Sequence, residues 1–324
     1  MNHVLIVSLS RSGGKLMRML LDGHPAFNAF PIEHWNRTSK NAIPVKRIAK
    51  FDSLSVDEKL ETAGGDHVER KISRLHPAEV VARVLQDWRN GAVDAHTLPA
   101  MYEGLSRAYF GALGRPLDAV VVNHCGSVSR FRREELDAVY GPGRHLLTIR
   151  DPRAVFISMQ GLVLRKFTAN RALKGKIPHQ LFERHTQKLE LVKGTSGYLQ
   201  EFCDVYRAMV AHYASGSDVI RLRFEDLVRT PETVMRKVAG ELGVEWRDTL
   251  LEPTQLGDSH SPNSSFARTG GSIHAQAADD WTGRIDPAIR RSIEDLLADE
   301  MAALGYLRFK EGTSPLLDPS PLLS

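Results

Sequence analysis

Apolar residues run unbroken from Val4 to Val7 and return at Leu9, before Ser10, Arg11, Ser12, Gly13, Gly14 and Lys15 interrupt them. A β-branched run of this kind fits a strand buried on both faces, as in a parallel sheet. Leu16, Met17, Leu20 and Leu21 then recur at three- and four-residue spacing, which predicts a helix stopped by Gly23 and Pro25. Residues 26 to 115 read as helix-rich and without strong strands. Helical periodicity is clearest in Pro77 to Trp88 and Pro99 to Leu113, each opened by a proline. The segment Pro31 to Lys50 reads as an irregular loop. Further strands are predicted at Ala119–His124, His145–Arg150 and Asp218–Arg223, with helices at Phe131–Tyr140, after Pro152, at Gln180–Lys193, and at Gly197–Ser215. Thr230 as N-cap, Pro231 at the first position and Gly243 at the end mark one more helix. Residues 252–275 form a long Ser/Gly/Asn/Pro-rich loop, Pro287–Leu304 a last amphipathic helix, and Glu311–Ser324 a loosely attached tail.

Strands alternating with helices predict an α/β fold, a parallel β-sheet flanked by helices on both faces. Ligands of such sheets bind outside the carboxyl ends of the strands. Arg11, His124 and Arg150 are each expected there. No internal repeat is visible.

The first of these strand ends offers an anion cradle. Glycines let backbone N–H groups approach an anion, a helix N-terminus adds roughly half a positive charge, and Arg11 and Lys15 add two more. An ordinary strand–helix turn that happens to carry two cations has the same local pattern. Arg150-Asp151-Pro152-Arg153, with Ser158 about two turns further on, offers a second cationic site. Two such sites suit a ligand with two separated phosphates. His124 fits a general base for an acceptor hydroxyl or amine, and equally a capping or core histidine. A Walker loop requires Gly-x-x-x-x-Gly-Lys-Ser/Thr. Here Leu9 holds the opening glycine position and Leu16 the metal-binding hydroxyl position, which counts against a kinase using Mg-ATP.

Composition adds modest limits. The 324 residues suit one large α/β domain or two small ones, with ordinary hydrophobic (42%) and charged (25%) content. The formal charge of +4, from 43 basic and 39 acidic residues, favours an anionic small ligand over nucleic acid. Cys125 and Cys203 are too few for a disulfide framework or a cysteine-rich metal site. No apolar run reaches membrane-spanning length and the first strand leaves no room for a signal peptide, so a cytoplasmic location is the expectation.

In this order the segments resemble the sulfotransferases that use 3′-phosphoadenosine 5′-phosphosulfate (PAPS). Ser10-Arg11-Ser12-Gly13-Gly14-Lys15 resembles the family's first loop, roughly Pro-Lys/Arg-Ser-Gly-Thr-Thr/Ser, and Arg150 with Ser158 resembles its 3′-phosphate motif. Val122-Asn123-His124 is similar to the segment that carries the family's catalytic histidine. Phe224-Glu225-Asp226-Leu227 resembles a Tyr-Glu-Asp segment, Phe266-Ala267-Arg268-Thr269-Gly270 the late loop whose Arg and Gly reach the 3′-phosphate, and Asp280-Trp281 with Leu304-Gly305-Tyr306 the closing segment. Gly14 and Lys15 stand where hydroxyl residues are usual, Leu16 where some members carry an aromatic that stacks on adenine, and Ser10 where proline is usual.

The resemblance implies a P-loop-like sulfotransferase domain over residues 1–310, with a helical acceptor-binding insertion at about 26–115 and a tail at 311–324. It implies PAPS as donor without a metal, and sulfuryl transfer to a hydroxyl or amine of a small-molecule, carbohydrate or lipid acceptor. Catalytic roles fall to Arg11, Lys15 and His124. Donor contacts fall to Ser10, Arg11, Ser12, Gly13, Gly14, Lys15, Leu16, Arg150, Ser158, Phe224, Arg268, Thr269 and Gly270. His34, Trp35 and Arg37 lie where acceptors would enter, or serve the loop's own structure. Competing readings are a P-loop kinase-like phosphotransferase and a non-catalytic nucleotide-binding protein.

Overall fold

A computed structural model describes residues 3–31, 50–126, 133–171, 196–213, 219–260 and 273–316. Strand β1 (His3–Ser8) is buried along its whole length, as its apolar run predicts, and leads through the glycine turn into helix α1 (Gly14–Asp22). A short strand β2 (Phe27–Ala29) precedes the helices α2 (Val56–Thr62), α3 (Gly65–Ile72), α4 (Ala78–Ala92) and α5 (Leu98–Ala112). Then come β3 (Val120–Cys125), α6 (Arg133–Tyr140), β4 (Arg144–Ile149), α7 (Pro152–Arg171), α8 (Ser196–Tyr213) and β5 (Val219–Arg223). Helices α9 (Phe224–Arg229) and α10 (Pro231–Leu242), the hairpin β6 (Thr254–Gln255) and β7 (Asp258–Ser259), and helices α11 (Pro287–Leu296) and α12 (Ala298–Ala303) complete the described chain.

The five-stranded sheet is parallel throughout, in the order β2-β3-β1-β4-β5. One face, with Val4, Ile6, Val122, Leu146 and Leu222, buries against Met17, Leu20 and Leu21 of α1 and Met235 and Val238 of α10. The other face, with Leu5, Val7, Val121 and Leu147, packs into a core holding Trp88 of α4, Tyr109 of α5, Phe156 of α7, Tyr206 of α8 and Ile293 of α11. Along the chain, β1 connects toward β2 on one side and β4 toward β5 on the other. The connections therefore diverge between β1 and β4, and the crevice beyond their carboxyl ends is where such sheets bind ligands.

Several expectations are corrected. Strand β2 lies inside the stretch read as lacking strong strands; three residues centred on Asn28 are too few to show a period, and they pair with β3. His124 does not follow its strand but is the last residue but one within it. Thr230 does not cap α10 with its side chain; its hydroxyl donates to the Asp226 carbonyl (3.1 Å), so the side chain closes α9 instead. The last helix bends at Leu297, which keeps Ile293, Leu297, Met301 and Leu304 in one core. The expected tail is attached as far as Leu316: Leu316 bridges Tyr306, and the Leu307 N–H donates to the Pro315 carbonyl (2.9 Å). The expected helix at 180–193 and the loop cluster His34, Trp35 and Arg37 lie outside the described residues.

Candidate functional site

The loop after β1 is built by backbone geometry that few residues adopt. Arg11 has φ 76° and Gly13 φ 96°, both left-handed, and the Ser12 N–H closes the turn on the Leu9 carbonyl (3.1 Å). Gly13 also allows close packing: a Cβ there would lie 2.5 Å from the Phe224 ring. Helix α1 starts at Gly14 with no side-chain cap and no acidic residue in its first turn. The Ser12 hydroxyl is buried and has no hydrogen-bond partner among the described residues. An uncapped helix start, glycines at close approach and an unused buried hydroxyl together fit the phosphate end of a nucleotide donor.

The two cationic sites expected at separate strand ends meet directly. Arg11 Nε donates to Ser158 Oγ (2.9 Å), and Arg150 Nη1 donates to the Arg11 carbonyl (3.0 Å). Arg150 Nη2 donates to the Ala277 carbonyl (3.0 Å), and its guanidinium lies 4.4 Å above the Phe224 ring. The two motifs at the β1/β4 divergence are therefore one connected group. Ser10 is exposed at its rim, Lys15 is half-buried on the first turn of α1, and Ser158 is buried on α7. Leu16 packs into the core among Met17 and Leu20, so what it offers the loop is its backbone N–H. Arg268, Thr269 and Gly270 lie outside the described residues.

His124 stands against the loop from the sheet side. It is 3% exposed, and its Nε2 is hydrogen-bonded to Ser8 Oγ at 3.0 Å. A Cβ on Gly14 would collide with this nitrogen and lie 2.5 Å from Ser8 Oγ. Ser8 was not among the expected site residues; the only sign of it is one hydroxyl in an otherwise apolar run ending at the loop.

Beneath Arg150 lies a buried framework. The Tyr206 hydroxyl donates to the Arg150 carbonyl (3.0 Å). Glu225 accepts from the Asp151 N–H (3.0 Å) and the Tyr306 hydroxyl (2.9 Å), and burial, followed by the Asp151 charge, pushes its carboxyl up to about 7. Arg153, fully buried, forks onto Asp151 (2.9 and 2.7 Å) and reaches Glu294 (2.5 Å), with Trp281 4.5 Å beneath its guanidinium. Trp281 thus packs the framework.

Hairpin β6–β7 is fastened alongside α1: Asp22 accepts from Thr254 Oγ1 (2.9 Å) and the Gly257 N–H (2.8 Å), and Arg18 donates to Gln255 (3.3 Å). His260, just past the hairpin, has its pKa lowered by burial and then by the charges of Lys15 and Arg18, so the field at the start of α1 is cationic. Among the described residues, no helix is long and apolar enough to cross a membrane.

The sequence profile of the sulfotransferase family matches residues 3–248. Among solved structures, the chain is similar to the sulfotransferase domain from the Synechococcus PCC 7002 olefin synthase, with 20% identity and a TM-score of 0.54 over 93% of this chain and 94% of that one. It is also similar to the sulfotransferase domain from the curacin biosynthetic pathway, with 15% identity and a TM-score of 0.55 over 92% and 97%. These likenesses concern the fold. No curated protein matches the chain. The profile match across most of the chain, on a fold those domains share, shows that this protein belongs to the sulfotransferase family.

Proposed function

We propose that this chain transfers the sulfuryl group of PAPS to a hydroxyl or amine of a small-molecule, carbohydrate or lipid acceptor. The observation that carries the donor assignment is the junction of the two motifs, where Arg11 Nε meets Ser158 and the Arg11 carbonyl is held by Arg150. An uncapped helix start beside a second cationic group supports a nucleotide bearing both 5′- and 3′-phosphates.

The donor supplies an activated sulfuryl group whose S–O bond to the nucleotide breaks as a new bond forms from sulfur to the acceptor, S–O for a hydroxyl and S–N for an amine. Arg11 and Lys15, with the N–H groups at the start of α1, offset the charge that builds on the bridging oxygen. Arg150 and Ser158 hold the 3′-phosphate. The acceptor's proton passes to His124, whose imidazole borders the loop at Gly14. The helical region between β2 and β3 forms the acceptor side.

Two measurements test this. Calorimetry should show adenosine 3′,5′-bisphosphate binding more tightly than ADP, because only the former carries the 3′-phosphate. Radiolabelled PAPS offered with an acceptor library should yield labelled product. Absence of bisphosphate binding at millimolar concentration would sink the donor assignment, and preference for ADP would return the chain to a kinase-like reading.

A further inference from the structure

Ser8 ends β1, and His124 is one residue from the end of the neighbouring β3. His124 pairs with Ile6 across the parallel ladder, so its side chain shares a face with those of Ile6 and Ser8. The two polar groups are 1% and 3% exposed, hydrogen-bond each other at 3.0 Å, and fill the space where a side chain on residue 14 would stand. Burying a serine and a histidine at this end of the face costs free energy, which the bond between Ser8 Oγ and His124 Nε2 offsets in part. The same nitrogen, Nε2, both bonds Ser8 Oγ and abuts Gly14, the first residue of α1, where an anion would sit.

We propose that Ser8 is the positioning residue of His124. Its hydroxyl fixes the imidazole against Gly14, so that the base and the anion loop form one rigid unit and an anion entering the loop acts directly on the ring. This rests on the sulfotransferase reading given above. It gives Gly14 a definite task, since any larger residue there separates the ring from the loop. The loop that Gly14 closes carries two cations, Arg11 and Lys15, and Thr148, paired with Ser8 from β4, is neutral.

The test is nuclear magnetic resonance of the His124 imidazole, assigned by its loss in His124→Asn, with adenosine 3′,5′-bisphosphate as probe. In the unaltered protein, bound bisphosphate should raise the His124 pKa by about one unit, making affinity about tenfold tighter below that pKa than above it. Ser8→Ala should still bind the probe and stay folded by thermal melt, yet show less than half of that rise. Gly14→Ala should do the same, and the double variant should be no worse than either single one, because one contact is lost in each case. If Gly14→Ala fails to fold, Ser8→Ala carries the test alone. A His124 signal indifferent to bound bisphosphate overturns the proposal, as does an Ser8→Ala protein that responds like the unaltered one. No bisphosphate binding in the unaltered protein instead removes the donor reading beneath it.

Discussion

Arg11 keeps a left-handed backbone that a residue bearing a Cβ occupies at a cost of roughly 1 kcal/mol. Its carbonyl is pinned by Arg150 and its side chain by Ser158, so the strain is held in place by the site itself. Arg11→Gly removes both the strain and the charge. Turnover is expected to fall by about a hundredfold or more while denaturant melts show stability unchanged or higher. A variant that is active, or clearly less stable, would contradict this. Glu225 supplies a second residue-scale expectation. Its carboxyl is neutral in the fold up to about pH 7, whereas in the unfolded chain it ionises near its ordinary value of 4.5. Between those two values the folded state holds a proton that the unfolded state has lost, so this group's contribution to stability declines as pH rises toward 7. Glu225→Gln stays neutral throughout. Its unfolding free energy relative to the unaltered protein, read from denaturant melts, should therefore be more favourable at pH 8 than at pH 5, by on the order of 1–3 kcal/mol. Equal differences at the two pH values would refute the assignment.

Elements differed in how plainly their residues announced them. Strands β1, β3, β4 and β5 were legible because each carries a cluster of buried β-branched or leucine side chains, and α10 because Pro231 and Gly243 mark its ends. Strand β2 was not, since three residues carry no period. The loop's cations were legible as chemistry, but their meeting was not. Arg11 and Ser158 are 147 positions apart, and only the order of strands makes them neighbours. The pairing of Ser8 with His124 was hidden for the same reason. The role of Arg153 also lay outside the local pattern, because its second carboxylate, Glu294, sits 141 positions away on α11. That contact ties α7 to α11 beneath the site. Arg153→Met would leave two carboxylates buried without a counter-charge, and the expected loss is about 3–5 kcal/mol by chemical denaturation. A loss below about 1 kcal/mol would show that the ion pairs matter little to the fold.

For the whole molecule, the order β2-β3-β1-β4-β5 places the first strand at the centre of the sheet. Its two neighbours begin at Val120 and Arg144. A ribosome therefore makes the most apolar strand first and supplies its flanking partners only after more than a hundred further residues have been joined. Until then both edges of β1 are open to any other extended chain, the state in which nascent proteins engage chaperones or aggregate. Chains stalled shortly before residue 144 should accordingly be cleaved by protease within β1, and chains released after β5 should resist. Equal protection in both would mean that β1 finds other shelter during synthesis. The strand that sets the anion loop in place is thus the one whose structure depends most on what the ribosome has yet to deliver.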